Sequence, residues 1–97
     1  MSFNERCYEV LKIVPKGKVV TYKQIAKKLH SKGYRAVGNA MNKNPHAPKV
    51  PCHRVICSNG DVGGFANGSK KKSAMLKKEG IEIIKGKIDL KKYGFKL

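Results

Sequence analysis

Acidic residues, cysteines and long apolar runs are all scarce in this sequence. Only six Asp and Glu accompany 22 Lys and Arg, and the formal net charge is +16. No apolar run approaches the roughly 20 residues that a membrane helix needs. The first residues, MSFNER, do not place an apolar stretch after a basic one, as a secretory signal would. We expect an intracellular protein without a membrane segment.

The three cysteines are too few, and odd in number, for a disulfide framework in a small chain without a secretory signal. Reduced thiols are therefore expected. Cys52, His53 and Cys57 match no C-x-x-C spacing and lack a fourth ligand, so no metal site is predicted. Cys7 is expected in the core, because it lies on the apolar face of the first predicted helix.

The length of 97 residues predicts a single domain, residues 1–97, and the 40% hydrophobic content is enough for a modest core. A polyanion such as nucleic acid or an anionic membrane would relieve the excess positive charge. A simpler interpretation is a lysine-rich, solvated surface, since only Arg6, Arg35 and Arg54 are arginines. Between these alternatives, the charge favours nucleic acid.

Two helices are predicted before residue 30. The first has one apolar face at helical spacing, formed by Phe3, Cys7, Val10, Leu11 and Val14. The segment from Pro15 to Lys18 ends it. Thr21 followed three residues later by Gln24 is a capping-box pattern, so a second helix should begin at Tyr22.

A third helix is predicted over residues 34–42, after a short turn at residues 31–33. Tyr34, Val37 and Met41 would face its core. Gly38 is unfavourable inside a helix by about 1 kcal/mol relative to alanine, and a close approach of another backbone would offset that. Two short helices joined by a three-residue turn are typical of a helix-turn-helix.

The second half predicts a wing and a further helix. Prolines exclude regular structure over residues 44–51. Asn59-Gly60 lies between two apolar segments and predicts a small β-hairpin, and Ser69 and Gly80 would bound a fourth helix. A short hairpin is expected around Lys85-Gly86-Lys87. The predicted fold is mainly α, a winged helix-turn-helix whose wing is the small β-hairpin.

Cys52 and His53 form a candidate nucleophile and base. The thiolate is the reactive form of cysteine, and a free thiol is mostly protonated at neutral pH, so a base or a nearby cation must activate it. Adjacent residues rarely face each other, so His53 would act through a water or a tight turn, with a third group such as Glu79 orienting it. The alternative is a buried structural cysteine, which is the commoner case for such a pair.

Two separated motifs carry a family resemblance. Residues 35–45, RAVGNAMNKNP, and residues 50–55, VPCHRV, closely resemble the O6-alkylguanine-DNA alkyltransferases, also called methylated-DNA–protein-cysteine methyltransferases. The similarity extends from about Phe3 through Gly80 and corresponds to the C-terminal, active-site domain of those proteins alone. The match includes Val14-Pro15-Lys16-Gly17 before the helix-turn-helix and Glu79-Gly80 after it, and several motifs in the same order make this resemblance highly specific.

The resemblance implies a role for each matching residue. Cys52 would accept the alkyl group, His53 would take its proton through a water, Glu79 would orient His53, and Asn44 would brace this network. Tyr22 would donate a hydrogen bond from its hydroxyl to the flipped base.

The resemblance also implies how the chain binds DNA. Arg35 would insert into the base stack, with the second helix of the helix-turn-helix in the minor groove rather than the usual major groove. Small residues would permit that approach, and the implied DNA contacts are Arg35, Tyr22, Ala36, Gly38, Asn39 and Arg54, with Ala40 as a further small residue. The implied substrate pocket consists of Pro51, Val55, Phe65, Ala66 and Asn67.

The sequence departs from the family pattern at three points. Many members carry an N-terminal domain before this module, and the resemblance does not extend to it. Asn67 replaces a usual glycine in the loop at residues 62–68, although asparagine tolerates left-handed backbone better than most residues. Lys49 stands where an apolar residue is usual before the cysteine, which would alter the pocket wall or add a phosphate contact.

The resemblance predicts a single-turnover DNA repair protein. It would transfer the alkyl group from O6-alkylguanine, and on one interpretation from O4-alkylthymine, to Cys52, as a monomer on double-stranded DNA and without a cofactor. Two alternatives remain. Alkyltransferase-like proteins bind alkylated DNA without transferring the group and recruit excision repair, but they have another residue where Cys52 stands. The second alternative is a general winged-helix DNA-binding module with an inert thiol.

Overall fold

The computed structural model describes residues 2–30, 33–46, 49–63 and 69–97. Five α-helices, two short strands and one 3₁₀ helix lie in these ranges. Their order along the chain is α1 (Phe3–Leu11), β1 (Val20–Thr21), α2 (Tyr22–Lys28), α3 (Tyr34–Asn42), the 3₁₀ helix (Cys52–Arg54), β2 (Val55–Ile56), α4 (Ser69–Lys78) and α5 (Leu90–Tyr93). The mainly helical prediction is confirmed. No helix in the described ranges is both long enough and apolar enough to cross a membrane.

The predicted capping box determines where α2 begins. The Gln24 backbone N–H donates to Thr21 Oγ1 at 3.0 Å, and the Thr21 N–H donates to Gln24 Oε1 at 2.9 Å. These bonds satisfy backbone donors that a helix start leaves unpaired. Tyr22 is therefore the first residue of α2, as predicted. A second box, between Ser2 and Glu5, caps α1.

A hydrophobic core lies between α1, α2 and α3. Cys7, Leu11, Ile25 and Val37 are fully buried in it, which confirms Cys7 as a core residue. Burial also raises the pKa of Cys7 to about 11, so that its thiol stays protonated at neutral pH. Together α2 and α3 pack closely, and they form the helical pair that the sequence predicted.

The inward face of α3 differs from the predicted one at both ends. Tyr34 was expected in the core, but it is 63% exposed. Side chains lean toward the N-terminus of their helix, so the first residue of α3 extends past the helix end and away from the core. Ala40 was expected to face DNA, but it is fully buried and its carbonyl accepts a hydrogen bond from Tyr8 Oη at 2.8 Å.

The sheet is not the predicted hairpin wing. β1 and β2 pair in parallel, with Val20 opposite Val55 and Thr21 opposite Ile56. All four residues are buried, and burial of both faces is typical of parallel pairing. The Asn59-Gly60 turn does exist: Gly60 has a φ of +90°, and its N–H donates to the Cys57 carbonyl at 3.0 Å. The far arm of the expected hairpin falls partly on residues 64–68, outside the described ranges.

The end of α4 follows the prediction. Gly80 adopts a φ of +89°, its N–H donates to the Lys77 carbonyl at 3.0 Å, and the Ile81 N–H donates to the Leu76 carbonyl at 3.1 Å. This pair of bonds is the Schellman motif that ends helices at glycine. It places Glu79 at the last position before the chain turns.

The segment after Gly80, for which the sequence suggested no role, supports the strands. Its turn at Lys85 and Gly86 has positive φ at both residues, as the predicted hairpin requires. The Ile88 N–H donates to the Gly60 carbonyl at 2.8 Å, and Val19 exchanges bonds with the carbonyl of Tyr93 and the N–H of Phe95 at 2.9 and 2.8 Å. The chain end thus supports both β1 and the turn after β2.

Candidate active site

Cys52 lies in the 3₁₀ helix that follows Pro51. The turn is closed by two backbone bonds, from the Cys52 N–H to the Val50 carbonyl at 2.8 Å and from the Arg54 N–H to the Pro51 carbonyl at 3.0 Å. The Cys52 side chain is nearly enclosed, with 4% exposure. A tight turn of this kind separates the directions of the Cys52 and His53 side chains.

His53 is oriented by the carboxylate at the end of α4. Its Nε2 lies 2.9 Å from Glu79 Oε2, the contact that the family resemblance implied. Arg54 holds the same carboxylate from a second side, with Nε at 2.9 Å from Oε1 and the terminal nitrogen Nη2 at 2.6 Å from Oε2. Glu79 thus joins both residues that follow the cysteine.

Glu79 is ionised at neutral pH. Burial by itself would raise the pKa of this carboxyl, but the hydrogen bonds from Arg54 and His53 outweigh burial and lower the pKa below its usual range. An ionised carboxylate only accepts hydrogen bonds, so Nε2 of His53 carries the hydrogen and donates it. In a neutral imidazole, Nδ1 is then the nitrogen that can accept a proton.

The structure does not support Arg54 as a DNA contact. Besides its two bonds to Glu79, it donates from Nη1 to the Val14 carbonyl at 2.9 Å, and its side chain is only 15% exposed. A guanidinium that binds a carboxylate through two nitrogens has a fixed orientation. Arg54 therefore connects the 3₁₀ helix to α4 and to the end of the first helical segment.

Asn44 braces the loop before Cys52 rather than the imidazole. Its Nδ2 donates to the Val50 carbonyl at 2.9 Å, and its Oδ1 accepts from the His46 N–H at 2.9 Å. The same Val50 carbonyl accepts the Cys52 N–H. Asn44 thus acts on the cysteine through one shared backbone acceptor.

Tyr22 meets a buried lysine that sequence reasoning missed. Lys72 has no exposed surface, and its Nζ lies 3.4 Å from Tyr22 Oη and 5.5 Å from the centre of the tyrosine ring. Burial lowers the pKa of Lys72 to about 8, although negative charge at Cys57, Cys52 and Asp61 acts in the opposite direction. Burial likewise raises the pKa of Tyr22 to about 12, so its hydroxyl keeps its proton.

A sequence signal for Lys72 exists but is weak. Lys72 precedes buried Leu76 by four residues and Glu79 by seven, which is the spacing of one helix face. Its neighbours Lys70 and Lys71 are exposed, so composition alone suggests a solvated basic run.

A cleft of about 690 Å³ opens beside these residues, between α2, the start of α3 and the turn after β2. Its lining consists of Tyr22, Lys23, Ala26, Lys27, Tyr34, Cys57, Ser58 and Asn59. The parallel register explains why Tyr22 and Cys57 share this cleft, since they follow directly after the paired residues Thr21 and Ile56.

The cleft differs from the predicted substrate pocket. Pro51 and Val55 are buried and do not line it, because Val55 pairs with Val20 in the sheet and packs into the core. Cys52 is not among the lining residues either. The other three predicted pocket residues, Phe65, Ala66 and Asn67, lie outside the described residues.

The outward face of α3 is accessible and carries small residues at its centre. Arg35 and Asn39 are exposed, while Ala36 and Gly38 are half-buried. A Cβ added at Gly38 would meet nothing within 4 Å, so the close internal approach that we expected there is absent. The helix presents a surface that an external partner could approach closely.

Comparison with known proteins identifies the family. The family described as 6-O-methylguanine DNA methyltransferase, DNA binding domain, matches residues 2–81. A methylated-DNA–protein-cysteine methyltransferase of Saccharolobus solfataricus is 55% identical over 75 residues, which cover 77% of this chain and 48% of that protein. The chain belongs to this family, and it spans about half the length of that relative.

Two solved structures show the same fold. Atl1 of Schizosaccharomyces pombe, in complex with damaged DNA containing O6-carboxymethylguanine, superposes with a TM-score of 0.87 at 32% identity, covering 98% of this chain and 95% of that one. OGT of Mycobacterium tuberculosis, in complex with DNA, superposes with a TM-score of 0.77 at 38% identity, covering 81% of this chain and 50% of that one.

Proposed function

We propose that this protein repairs O6-alkylguanine in duplex DNA by transferring the alkyl group to Sγ of Cys52, once per molecule. The observation that carries the proposal is the contact between His53, the residue after Cys52, and the ionised Glu79, together with a cleft that Tyr22 lines. We assign this chain to the part of its longer relatives that forms the family's active-site domain.

The reaction needs a thiolate and a leaving group. Nδ1 of His53 accepts the Cys52 proton through a bridging water, and Glu79 stabilises the resulting imidazolium. The sulfur then attacks the alkyl carbon in line, a C–S bond forms, and the bond from that carbon to guanine O6 breaks. The electron pair stays on the purine, which is restored as guanine once it gains a proton.

Tyr22 and Lys72 support the departure of guanine. The Tyr22 hydroxyl accepts a hydrogen bond from Lys72 and keeps its own hydrogen for donation to the base. Lys72 thus leaves the hydroxyl hydrogen of Tyr22 available for the base.

The base reaches the cleft by leaving the duplex. Extrusion costs a few kcal/mol, and less when a lesion already weakens the pair. We assign the outward face of α3 to the minor groove, where Arg35 fills the vacated place in the stack and Ala36, Gly38 and Asn39 lie against the backbone. In this assignment α2 and α3 are a helix-turn-helix of the winged-helix class.

Intact-protein mass spectrometry after incubation with an O6-methylguanine duplex tests the proposal. We expect the wild type to gain one CH2 unit per molecule, located at Cys52 by peptide mapping. Cys57→Ser is a matched control, since it removes the thiol that lines the cleft, and it should gain the same mass. Cys52→Ser should bind the duplex and gain none. An adduct on Cys57, or on no residue, would refute the transfer.

The alternative is a sensor that binds alkylated DNA without transferring the group. The observation that favours it is the overlap with Atl1, which includes the segment after residue 81 that the family match does not reach. The presence of a cysteine at position 52 argues against it. Tight, lesion-selective binding by a wild type that never gains mass would establish the sensor.

A further inference from the structure

Tyr34 is an exposed aromatic residue that the proposed chemistry does not use. It is the first residue of α3 and is 63% exposed, one of three large hydrophobic residues with such exposure in the described ranges. The other two, Ile13 and Ile84, do not line the large cleft, whereas Tyr34 does.

The cleft wall around Tyr34 has the chemistry of a site for a single nucleotide. Lys23 and Lys27 are exposed on the α2 side, where their ammonium groups can meet phosphate, and the half-buried Tyr22 provides a second aromatic ring in the lining. Aromatic faces that stack on bases, combined with cations that follow the backbone, are the usual elements of binding to unpaired nucleic acid. Arg35, assigned to the base stack, is the next residue along the helix.

We propose that Tyr34 is a binding residue that stacks on the extruded base at the exposed side of the cleft. The inference rests on the proposed function, because only a base that has left the duplex can reach this wall. Stacking on an aromatic ring is tolerant of base identity. Tyr34 therefore retains a base that is already outside the helix, while the interior of the cleft discriminates the lesion.

The test measures the coupling between Tyr34 and the extruded base. Equilibrium affinities are determined by fluorescence anisotropy in a Cys52→Ser background, where no transfer consumes the lesion. Three duplexes are compared, which carry O6-methylguanine, unmodified guanine or an abasic analogue at the same position. Tyr34→Ala and Tyr34→Phe are compared with Ile13→Ala, a control that removes an equally exposed apolar side chain outside the cleft.

We expect Tyr34→Ala to weaken binding of the O6-methylguanine duplex by roughly 5- to 150-fold, the usual range for loss of one stacked base. On the abasic duplex, which has no base to stack, the loss should be less than about twofold. Tyr34→Phe retains the ring and should match the parent, as should Ile13→Ala. Circular dichroism verifies that each variant is folded.

Four outcomes would overturn the inference. Equal losses on the lesion and abasic duplexes would mean that Tyr34 contacts the DNA elsewhere. A loss in Tyr34→Phe as large as in Tyr34→Ala would assign the effect to the hydroxyl. If the parent protein prefers the lesion duplex and Tyr34→Ala binds all three duplexes with the same affinities as the parent, this inference alone is refuted. A parent that does not distinguish lesion from guanine would refute the proposed function and the inference together.

Discussion

Replacing Lys72 by methionine isolates the energetic effect of a buried charge at the site. Lys72 has no exposed surface, and burial lowers its pKa from 10.5 to about 8. At neutral pH the ammonium is nevertheless charged, so the folded protein holds a charge in a poorly solvated position. Methionine has a similar length and no charge, and it fills irregular apolar space well.

The pKa sets the size of the effect. At about 1.4 kcal/mol for each pKa unit, the fall from 10.5 to about 8 corresponds to about 3 kcal/mol of destabilisation by the charged lysine. We therefore expect Lys72→Met to raise the free energy of unfolding by about 3 kcal/mol at pH 7. The increase is large beside the 5–15 kcal/mol that is typical of a whole domain.

The increase should depend on pH in a defined direction. Between about pH 8 and pH 10.5 the folded wild type loses the Lys72 proton while the unfolded chain retains it, so wild-type stability rises relative to the variant. The advantage of Lys72→Met should shrink by about 3 kcal/mol across this window. Cys7 also titrates at high pH, but it is present in both proteins, so its contribution cancels in the difference. Tyr22, with a pKa of about 12, keeps its proton throughout this window.

Urea unfolding at a series of pH values, with Lys71→Met as the control, measures this difference. Lys71 is exposed, so its substitution should change stability by less than about 0.5 kcal/mol at every pH. A Lys72→Met variant that is no more stable than wild type at pH 7, or whose advantage does not vary with pH, would refute the reasoning. If Lys72 supports transfer as proposed, the stabilised variant should also transfer more slowly in single-turnover assays.

Three further predictions follow from other parts of the structure. Glu79→Gln should lower the free energy of unfolding by about 2 kcal/mol at pH 7, because Arg54 loses its ionised partner. That deficit should disappear as the pH falls through the lowered pKa of Glu79, where the wild-type carboxyl is itself protonated; urea unfolding that shows the same deficit in acid would contradict this. Gly60→Ala should destabilise by about 3 kcal/mol in thermal unfolding, since its φ is +90° and the new Cβ would lie 2.7 Å from the Ile88 carbonyl oxygen. Gly86→Ala, with positive φ but open space, should lose only about 1 kcal/mol, and equal losses would rule out the clash. Affinity for a lesion duplex should fall steeply as salt rises, and a flat plot of binding constant against salt would exclude phosphate contacts by the lysines.

Short-range features of the fold were predictable because they depend on neighbouring residues. The Thr21 and Gln24 capping box, the glycine end of α4 at Gly80 and the turn at Lys85 and Gly86 each involve bonds across only a few residues. Each satisfies a local backbone requirement with a residue type suited to it. The pairing of His53 with Glu79 was also predicted, first because a Cys-His pair needs a group that orients the imidazole and then through the family resemblance.

The errors concern residues whose surroundings are decided by distant parts of the chain. The family resemblance implied Arg54 as a DNA contact, but the end of α4 brings Glu79 to it from 25 residues away. Tyr34 was predicted to face the core because it fits the apolar spacing of α3, but as the first residue of the helix it extends beyond the core and is exposed. Val55 was assigned to the pocket, but its pairing with Val20 turns it into the core.

The sequence by itself determined the first four helices, the cap at the start of α2, the glycine at the end of α4, the basic charge and the chemistry available at Cys52 and His53, since each depends on residue type or on spacing within a few positions. Only the tertiary structure decided which groups share the site. The parallel pairing of β1 with β2 brings Tyr22 beside Cys57, and α4 then places Lys72 against the Tyr22 hydroxyl from 50 residues away. Such contacts follow from the packing of the whole chain, in which the burial of a lysine is tolerated because many apolar contacts elsewhere outweigh it.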